Sequence, residues 1–397
     1  MANKKVNVGL IGLNGMGKGH LHDLQEMDTV VLAGVCDIVK EYADAVASAC
    51  NTRAYYDYRE MLDRAGLDAV IIAVPHYDHP QIAIDAFERG IHVMTEKPIA
   101  VHVNDAKRMI EAYDRAKQLA PELQFGIMFQ ERTFPYYRKI KEILDSGELG
   151  RLTRATWIHT EWFRSQAYYD SGDWRATWAG EGGGILTNQC PHTLDMYQWL
   201  LGVPARITGH AHIGKYHDIE VEDEVTAYFE HENGMIGHLI VTTAELPGTN
   251  RLEIIGENGK LVYEDHKLVL HKNKMSMLQY SRETSERFGN MGQEQIEIAV
   301  DTETPVGHHV VSEKFFERIR TGQGELIAEG TEGIRSLTIA NGIMLSSFQK
   351  RTVDVPIDGD AFEAKLQELI RTSRYVKKAA VIPPIHEDFS KSFGTKL

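Results

Sequence analysis

Val8-Gly9-Leu10-Ile11-Gly12-Leu13-Asn14-Gly15-Met16-Gly17 is a strand that runs into a tight glycine turn and on into a helix. It carries the G-x-G-x-x-G spacing, with Asn14 at the position of the second glycine. Glycine suits such a turn because backbone amides at a helix N-terminus must come close to a pyrophosphate to hold it. Asn14 meets that need less easily, although Asn tolerates left-handed backbone better than most residues. Taken alone, the turn also reads as a plain strand-to-helix connection. Gly12, Asn14, Gly15, Met16 and Gly17 are candidate cofactor contacts. About twenty residues further on, Asp37 closes the next strand, where a carboxylate accepts hydrogen bonds from an adenosine ribose and repels a 2′-phosphate. Ile38 and Val39 follow it and offer no cation to such a phosphate, so NAD is expected in preference to NADP. An aspartate capping the next helix is the other reading of Asp37.

Around this turn, short β-branched runs alternate with helical patterns through the first 130 residues. That order predicts a doubly wound parallel sheet covered on both faces, a Rossmann arrangement. Strands are expected at 6–11, 30–36, near 54, 69–74, 92–95 and 124–128. His79, Ile82, Ala83, Ala86 and Phe87 have helical spacing before Gly90, and Asn104 reads as the cap of a helix over 105–118. After a helix over 136–145, longer alternating runs predict an open, mostly antiparallel sheet with strands at 153–162, 205–213, 225–230, 235–243, 252–256 and 261–263. A helix over 191–201 interrupts them, and the polar stretch 272–295 reads as loop or lid. Helices are expected over 310–321 and 331–350, with an irregular tail after 382. The expected domains are 1–130 for the cofactor and 131–397 for substrate and oligomerisation, with the helices after 309 packing back toward the first domain.

The composition narrows the partners. The chain has 397 residues, 43% of them hydrophobic and 25% charged, and a net charge of −14 that repels nucleic acid and anionic membranes at long range. Apolar runs are far shorter than the roughly 20 residues of a membrane span. No secretory signal is read at the N-terminus, so a soluble, cytoplasmic protein is expected. Three cysteines without CxxC spacing fit free thiols in a reducing compartment. The 18 histidines include several close pairs, but none has the flanking pattern of structural zinc ligands. A metal shared by Cys190 and His192 is the other reading, set against chemistry that needs no Lewis acid. No metal is expected.

Glu96-Lys97-Pro98 follows the glycine turn by about eighty residues and places a lysine where a nicotinamide would lie. With the glycine turn, Ala73-Val74-Pro75 plus His79, Glu96-Lys97-Pro98-Ile99-Ala100, and the stretch Glu181-Gly182-Gly183-Gly184-Ile185-Leu186-Thr187-Asn188-Gln189-Cys190-Pro191-His192-Thr193-Leu194-Asp195, the chain resembles the glucose-fructose oxidoreductase, inositol dehydrogenase and MocA (Gfo/Idh/MocA) family. Ser146-Gly147-Glu148-Leu149-Gly150, after Pro135-Tyr136-Tyr137, is similar to that family's entry into its second domain. The resemblance implies two domains with substrate between them, and a homodimer or homotetramer formed through the sheet face. It also implies that Lys97 lies near the reacting hydroxyl and stabilises a developing alkoxide, and that His192 is the base. Pro75, His79, Glu96 and Lys97 join the cofactor contacts. The family has an acid four residues before this histidine, whereas here the position is Asn188, an amide that can orient substrate but holds no charge. Asp195 steadies either His192 or its helix.

Arg164, Tyr168, Trp174 and Arg175 interleave aromatic faces with polar donors, which suits a sugar ring; a packed aromatic cluster is the other reading of each. His76 is either a cleft residue or a loop histidine. The reading is an NAD-dependent dehydrogenase acting on a secondary hydroxyl of a sugar, glycoside or inositol-like polyol. Its rivals are an NAD-retaining glycosidase that works by transient oxidation and elimination, and a non-catalytic NAD-binding sensor.

Overall fold

The structure is a computed structural model in which residues 5–377 are described. β1 (Val6–Ile11), β2 (Val30–Cys36), β3 (Ala54–Tyr55), β4 (Ala69–Ile72), β5 (His92–Thr95) and β6 (Phe125–Ile127) form a parallel sheet in the order β3-β2-β1-β4-β5-β6. Every residue of β4 is buried, as a parallel strand covered on both faces requires. The strand order reverses at β1, which lies between β2 and β4. In such sheets a crevice opens there, outside the carboxyl ends of the strands.

The second sheet has nine strands. They are β7 (Leu152–His159), β8 (Arg206–Ile213), β9 (Glu222–Glu230), β10 (Ile236–Thr242), β11 (Asn250–Gly256), β12 (Gly259–Glu264), β13 (Lys267–Asn273), β14 (Gln293–Ile298) and β15 (Val353–Asp354), in the order β14-β13-β12-β11-β7-β10-β9-β8-β15. All neighbours are antiparallel except β7 and β10, which run parallel at the centre. On β7, Ala155, Trp157 and His159 face inward while Arg154 points out, the two-residue alternation of a half-covered strand.

Several expectations need correction. The stretch 272–295 is not simply loop: it holds the end of β13, a helix Met277–Glu283 and the start of β14. β13 was hidden because its hairpin turns through Asp265 and His266, both at positive φ, without a glycine to mark the reversal. β14 is a polar edge strand in which only Ile296 and Ile298 turn to the core, too short an alternation to read. β7 ends at His159, so Trp162 lies beyond it. The helix Val103–Leu119 is capped by His102, whose side chain accepts from the Asp105 amide; Asn104 instead donates to Asp360 and Glu363. Those two acids belong to a helix missed in the sequence, Gly359–Thr372, capped by Asp358. The tail after 382 lies outside the described residues.

The helix His308–Thr321 inserts Val311, Phe315 and Phe316 among Val8, Leu10 and Met94 of the first sheet. This return of the chain carries His308 to the cofactor half. No helix among the described residues is long and apolar enough to cross a membrane.

Candidate active site

The glycine turn is shaped by close backbone approach. Gly12 sits at φ +88°, and a Cβ there would meet the Ala73 carbonyl oxygen at 2.3 Å. A Cβ on Gly17 would lie 2.1 Å from the Gly12 carbonyl oxygen, so the helix Met16–Glu26 packs directly on the turn. Positive φ falls on Gly12 and Gly15 rather than on Asn14, so the left-handed tolerance of Asn is not used. Asn14 instead accepts from the Gly15 amide through Oδ1 at 2.9 Å. Asp37 ties this turn to the end of β2: Oδ2 accepts from the Leu13 amide at 3.0 Å and Oδ1 from the Val39 amide at 2.9 Å. The following helix has no side-chain cap, and each carboxylate oxygen keeps acceptor capacity for a ribose hydroxyl. Glycines that leave room, amides at a helix start and this carboxylate fit a dinucleotide.

Pro75 leads from β4 into the turn His76–Asp78. His79 is fully buried, with Nδ1 2.8 Å from the Pro98 carbonyl oxygen and Nε2 2.8 Å from that of Val74. Both ring nitrogens are spent on backbone, so His79 joins the two chain segments that follow β4 and β5 and offers no nitrogen to a cofactor. Glu96 is buried against His20, with Oε1 2.8 Å from Nε2. Burial alone would raise its carboxyl, but the His20 hydrogen bond and the His20, His308 and Lys97 charges outweigh that and hold it at about 2.

Lys97 donates from Nζ to the Asn188 carbonyl oxygen at 2.8 Å. Its other two N–H bonds have no partner among the described residues. Burial lowers its pKa, opposed by Glu96 and reinforced by Arg175 and Arg164. His192, in the first turn of the helix Pro191–Leu201, has Nε2 3.3 Å from the Gln130 side-chain amide nitrogen, and its buried Nδ1 has no partner among the described residues. Burial and then the Lys97 charge push it well below the ordinary histidine value, so the ring is neutral at neutral pH. Asp195 does not reach this ring. Its two oxygens take Arg132 Nε at 2.8 Å and Nη2 at 2.7 Å, and the pair is closed off from solvent.

The aromatic residues come together, but with their faces occupied. The Arg175 guanidinium lies 4.6 Å from the Tyr168 ring and 4.5 Å from that of Trp174, and Arg164 covers Tyr168 at 5.1 Å. The Tyr168 hydroxyl accepts from Arg175 at 2.8 Å and from Gln189 at 3.0 Å. Trp174 packs edgewise on His76 at 5.4 Å, which brings the cluster against the end of β4.

A family model described as the oxidoreductase family, NAD-binding Rossmann fold, matches residues 6–121, and one described as the GFO/IDH/MocA C-terminal domain matches 137–262. The chain belongs to the Gfo/Idh/MocA family. Residues 6–121 are thus an NAD-binding Rossmann domain. Inositol 2-dehydrogenase 2 of Saccharopolyspora erythraea is 29% identical over 64% of this chain and 72% of that protein. The scyllo-inositol 2-dehydrogenase (NAD(+)) of Bacillus subtilis is 28% identical over 65% and 73%. Among solved structures, the WlbA dehydrogenase of Bordetella pertussis, in complex with NADH and UDP-GlcNAcA, is 26% identical with a TM-score of 0.74, covering 89% of this chain and all of that one.

Within this Gfo/Idh/MocA site the sequence reading missed Glu181 as a partner of Asn188. Glu181 is 2% exposed; Oε2 accepts from the Ala176 amide at 2.7 Å and Oε1 accepts from the Asn188 side-chain amide. The carboxylate absent from position 188 is thereby present one hydrogen bond away. Burial raises its pKa, against the pull of Arg175. Gln130, which touches His192, was also missed. Its place just past β6, at the carboxyl end of the sheet, was the available signal. His20 and His308, whose rings pack edgewise at 6.1 Å, carried no local signal. Among the described residues no group of three His, Cys, Asp or Glu side chains is placed to hold a metal ion.

Proposed function

We propose that this chain is an NAD-dependent dehydrogenase that oxidises a secondary hydroxyl of a sugar, glycoside or inositol-like polyol to a ketone, or runs the reverse reduction. The observation that carries the reading is the Lys97 ammonium held on the Asn188 carbonyl oxygen, one helical turn before a neutral His192. NAD, when bound, supplies the hydride acceptor. Gly12, Asn14, Gly15, Met16 and Gly17 would line its pyrophosphate, Asp37 its adenosine ribose, and Pro75, Glu96 and Lys97 the nicotinamide end. A neutral imidazole accepts the hydroxyl proton, and a buried ammonium stabilises negative charge as it grows on the substrate oxygen. Glu181 and Asn188 hold Lys97 in place. Arg164, Tyr168, Trp174 and Arg175 bound the substrate with hydrogen-bond donors more than with open ring faces. Assembly as a homodimer or homotetramer through the second sheet, in the cytoplasm, completes the reading.

The test follows NADH formation across inositols, free sugars, glucosides and sugar acids, with NAD and NADP side by side. Lys97→Ala is expected to lower turnover by about 10²–10³, the cost of losing an electrostatic stabiliser, while NAD binding is retained. Wild-type turnover in that variant would remove Lys97 from the mechanism.

A further inference from the structure

The turn Gln130–Thr133, just past β6, sends three consecutive side chains toward the second domain. Gln130 reaches His192 and Arg132 is committed to Asp195. Glu131, between them, is committed to nothing: Oε2 is buried without a hydrogen-bond partner, and the side chain forms no hydrogen bond or ion pair among the described residues. Native proteins seldom leave a buried carboxyl oxygen unsatisfied, and functional sites are where they do. The charged and titratable groups that act on it come from every surrounding element. They are Lys97 after β5, Asp195 on the helix Pro191–Leu201, Glu161 after β7, Tyr136 and Tyr137 on the helix Pro135–Asp145, Tyr263 on β12, and Cys190. Burial, then Asp195, then Glu161 raise this carboxyl to about 8, against the pull of Lys97.

We propose that Glu131 hydrogen-bonds a ring hydroxyl of the substrate and makes the entry of sugar acids, but not of uncharged sugars and polyols, depend on its own proton, an inference that rests on the dehydrogenase reading above. A protonated carboxyl offers one O–H donor and further acceptor capacity, the complement of a hydroxyl group. A sugar-acid carboxylate fits beside it only while Glu131 keeps its proton. Once Glu131 ionises, two like charges lie side by side and repel. Loss of the Lys97 proton would also weaken an acid selectively, so the part of the pH-dependent acid-to-neutral ratio that vanishes in Glu131→Gln, which keeps Lys97 and His192, isolates Glu131.

The experiment titrates the full-length, NADH-loaded protein with myo-inositol, glucose, glucuronate and galacturonate at pH 6 and pH 9, reading bound NADH fluorescence. Sugar acids stay ionised throughout, while Glu131 passes from about one in a hundred ionised to about ten in eleven. The acid-to-neutral Kd ratio is therefore expected to rise about tenfold in the wild type, to stay within about twofold in Glu131→Gln, and to rise again in Glu131→Asp. A flat wild-type ratio, or an equal rise in Glu131→Gln, overturns the inference. If Glu131→Gln does not fold, Glu131→Leu takes its place, and a flat wild-type ratio still overturns the inference. If the wild type takes no acid at either pH, the inference is overturned too, because at pH 6 Glu131 keeps its proton and the acid should fit. Oxidation of neutral substrates with a flat ratio sinks this inference alone; no binding and no turnover of either class sinks the dehydrogenase reading with it.

Discussion

Replacing Asp195 with Ala strands a guanidinium inside the protein. Arg132 donates to both Asp195 oxygens where the two side chains are 3% and 0% exposed, and Gln198 Nε2 depends on the same carboxylate at 2.9 Å. After the change Arg132 keeps Glu332 at 2.5 Å, while Nε and Nη2 lose their acceptors. Deleting one member of a buried pair costs about 3–5 kcal/mol, a large share of a native stability of about 5–15 kcal/mol. With a urea dependence of about 3 kcal/mol per M, the midpoint is expected to fall by about 1 M or more. Tryptophan fluorescence is the assay, because all five tryptophans lie between Trp157 and Trp199 and report the half that holds Asp195. One of them, Trp199, has the Arg132 guanidinium 5.7 Å from its ring. The double variant Arg132→Met/Asp195→Leu removes both charges and should recover most of the loss, since Glu332 retains Arg335 at 2.9 Å. Turnover in folded Asp195→Asn should fall less than about tenfold, because Asp195 does not touch His192. A midpoint shift under about 0.3 M, or a double variant no more stable than Asp195→Ala, refutes the buried-pair reasoning. A folded Asp195→Asn whose turnover collapses by about a hundredfold or more would mean that Asp195 works on His192 after all.

Three other outcomes are expected. Asp37→Ala frees the Leu13 and Val39 amides, and kinetics with both cofactors should show KM for NAD rising about tenfold while NADP discrimination narrows. Glu181→Gln removes a negative charge that raises the Lys97 pKa, so the alkaline limb of the pH–kcat profile should move to lower pH; an unmoved limb would detach Glu181 from Lys97. His231, held by burial at about 4 in the fold and near 6.5 when unfolded, takes up its proton first in the unfolded chain as pH falls. Its contribution is complete above about pH 6.5 and is lost as pH drops through about 4, so the gap between urea midpoints at pH 7.5 and pH 5 should be smaller in His231→Gln.

The first sheet was legible because each of its strands is an apolar run closed by a turn signal, and β1, β2 and β5 have the bounds read from sequence. The second sheet was legible where strands alternate and are set off by glycine. It was opaque at β14, whose exposed polar face looks like loop, and at β13, whose turn uses Asp265 and His266. The parallel pairing of β7 with β10 left no trace, since strand direction depends on the path of the chain between them.

For the site, the sequence by itself determined the chemical inventory: a glycine turn, Asp37, Lys97 and His192 at spacings that belong to one family. What those groups do to one another was decided by the tertiary structure. His20 meets Glu96 across 76 positions, Asp195 meets Arg132 across 63, and Lys97 meets Asn188 across 91. Hydrogen bonds and burial act over a few ångströms whatever the separation along the chain. A motif can therefore name His192 as a base or Asn188 as a departure. The fold alone makes the ring neutral, puts a carboxylate behind the amide and leaves Glu131 Oε2 without a hydrogen-bond partner among the described residues.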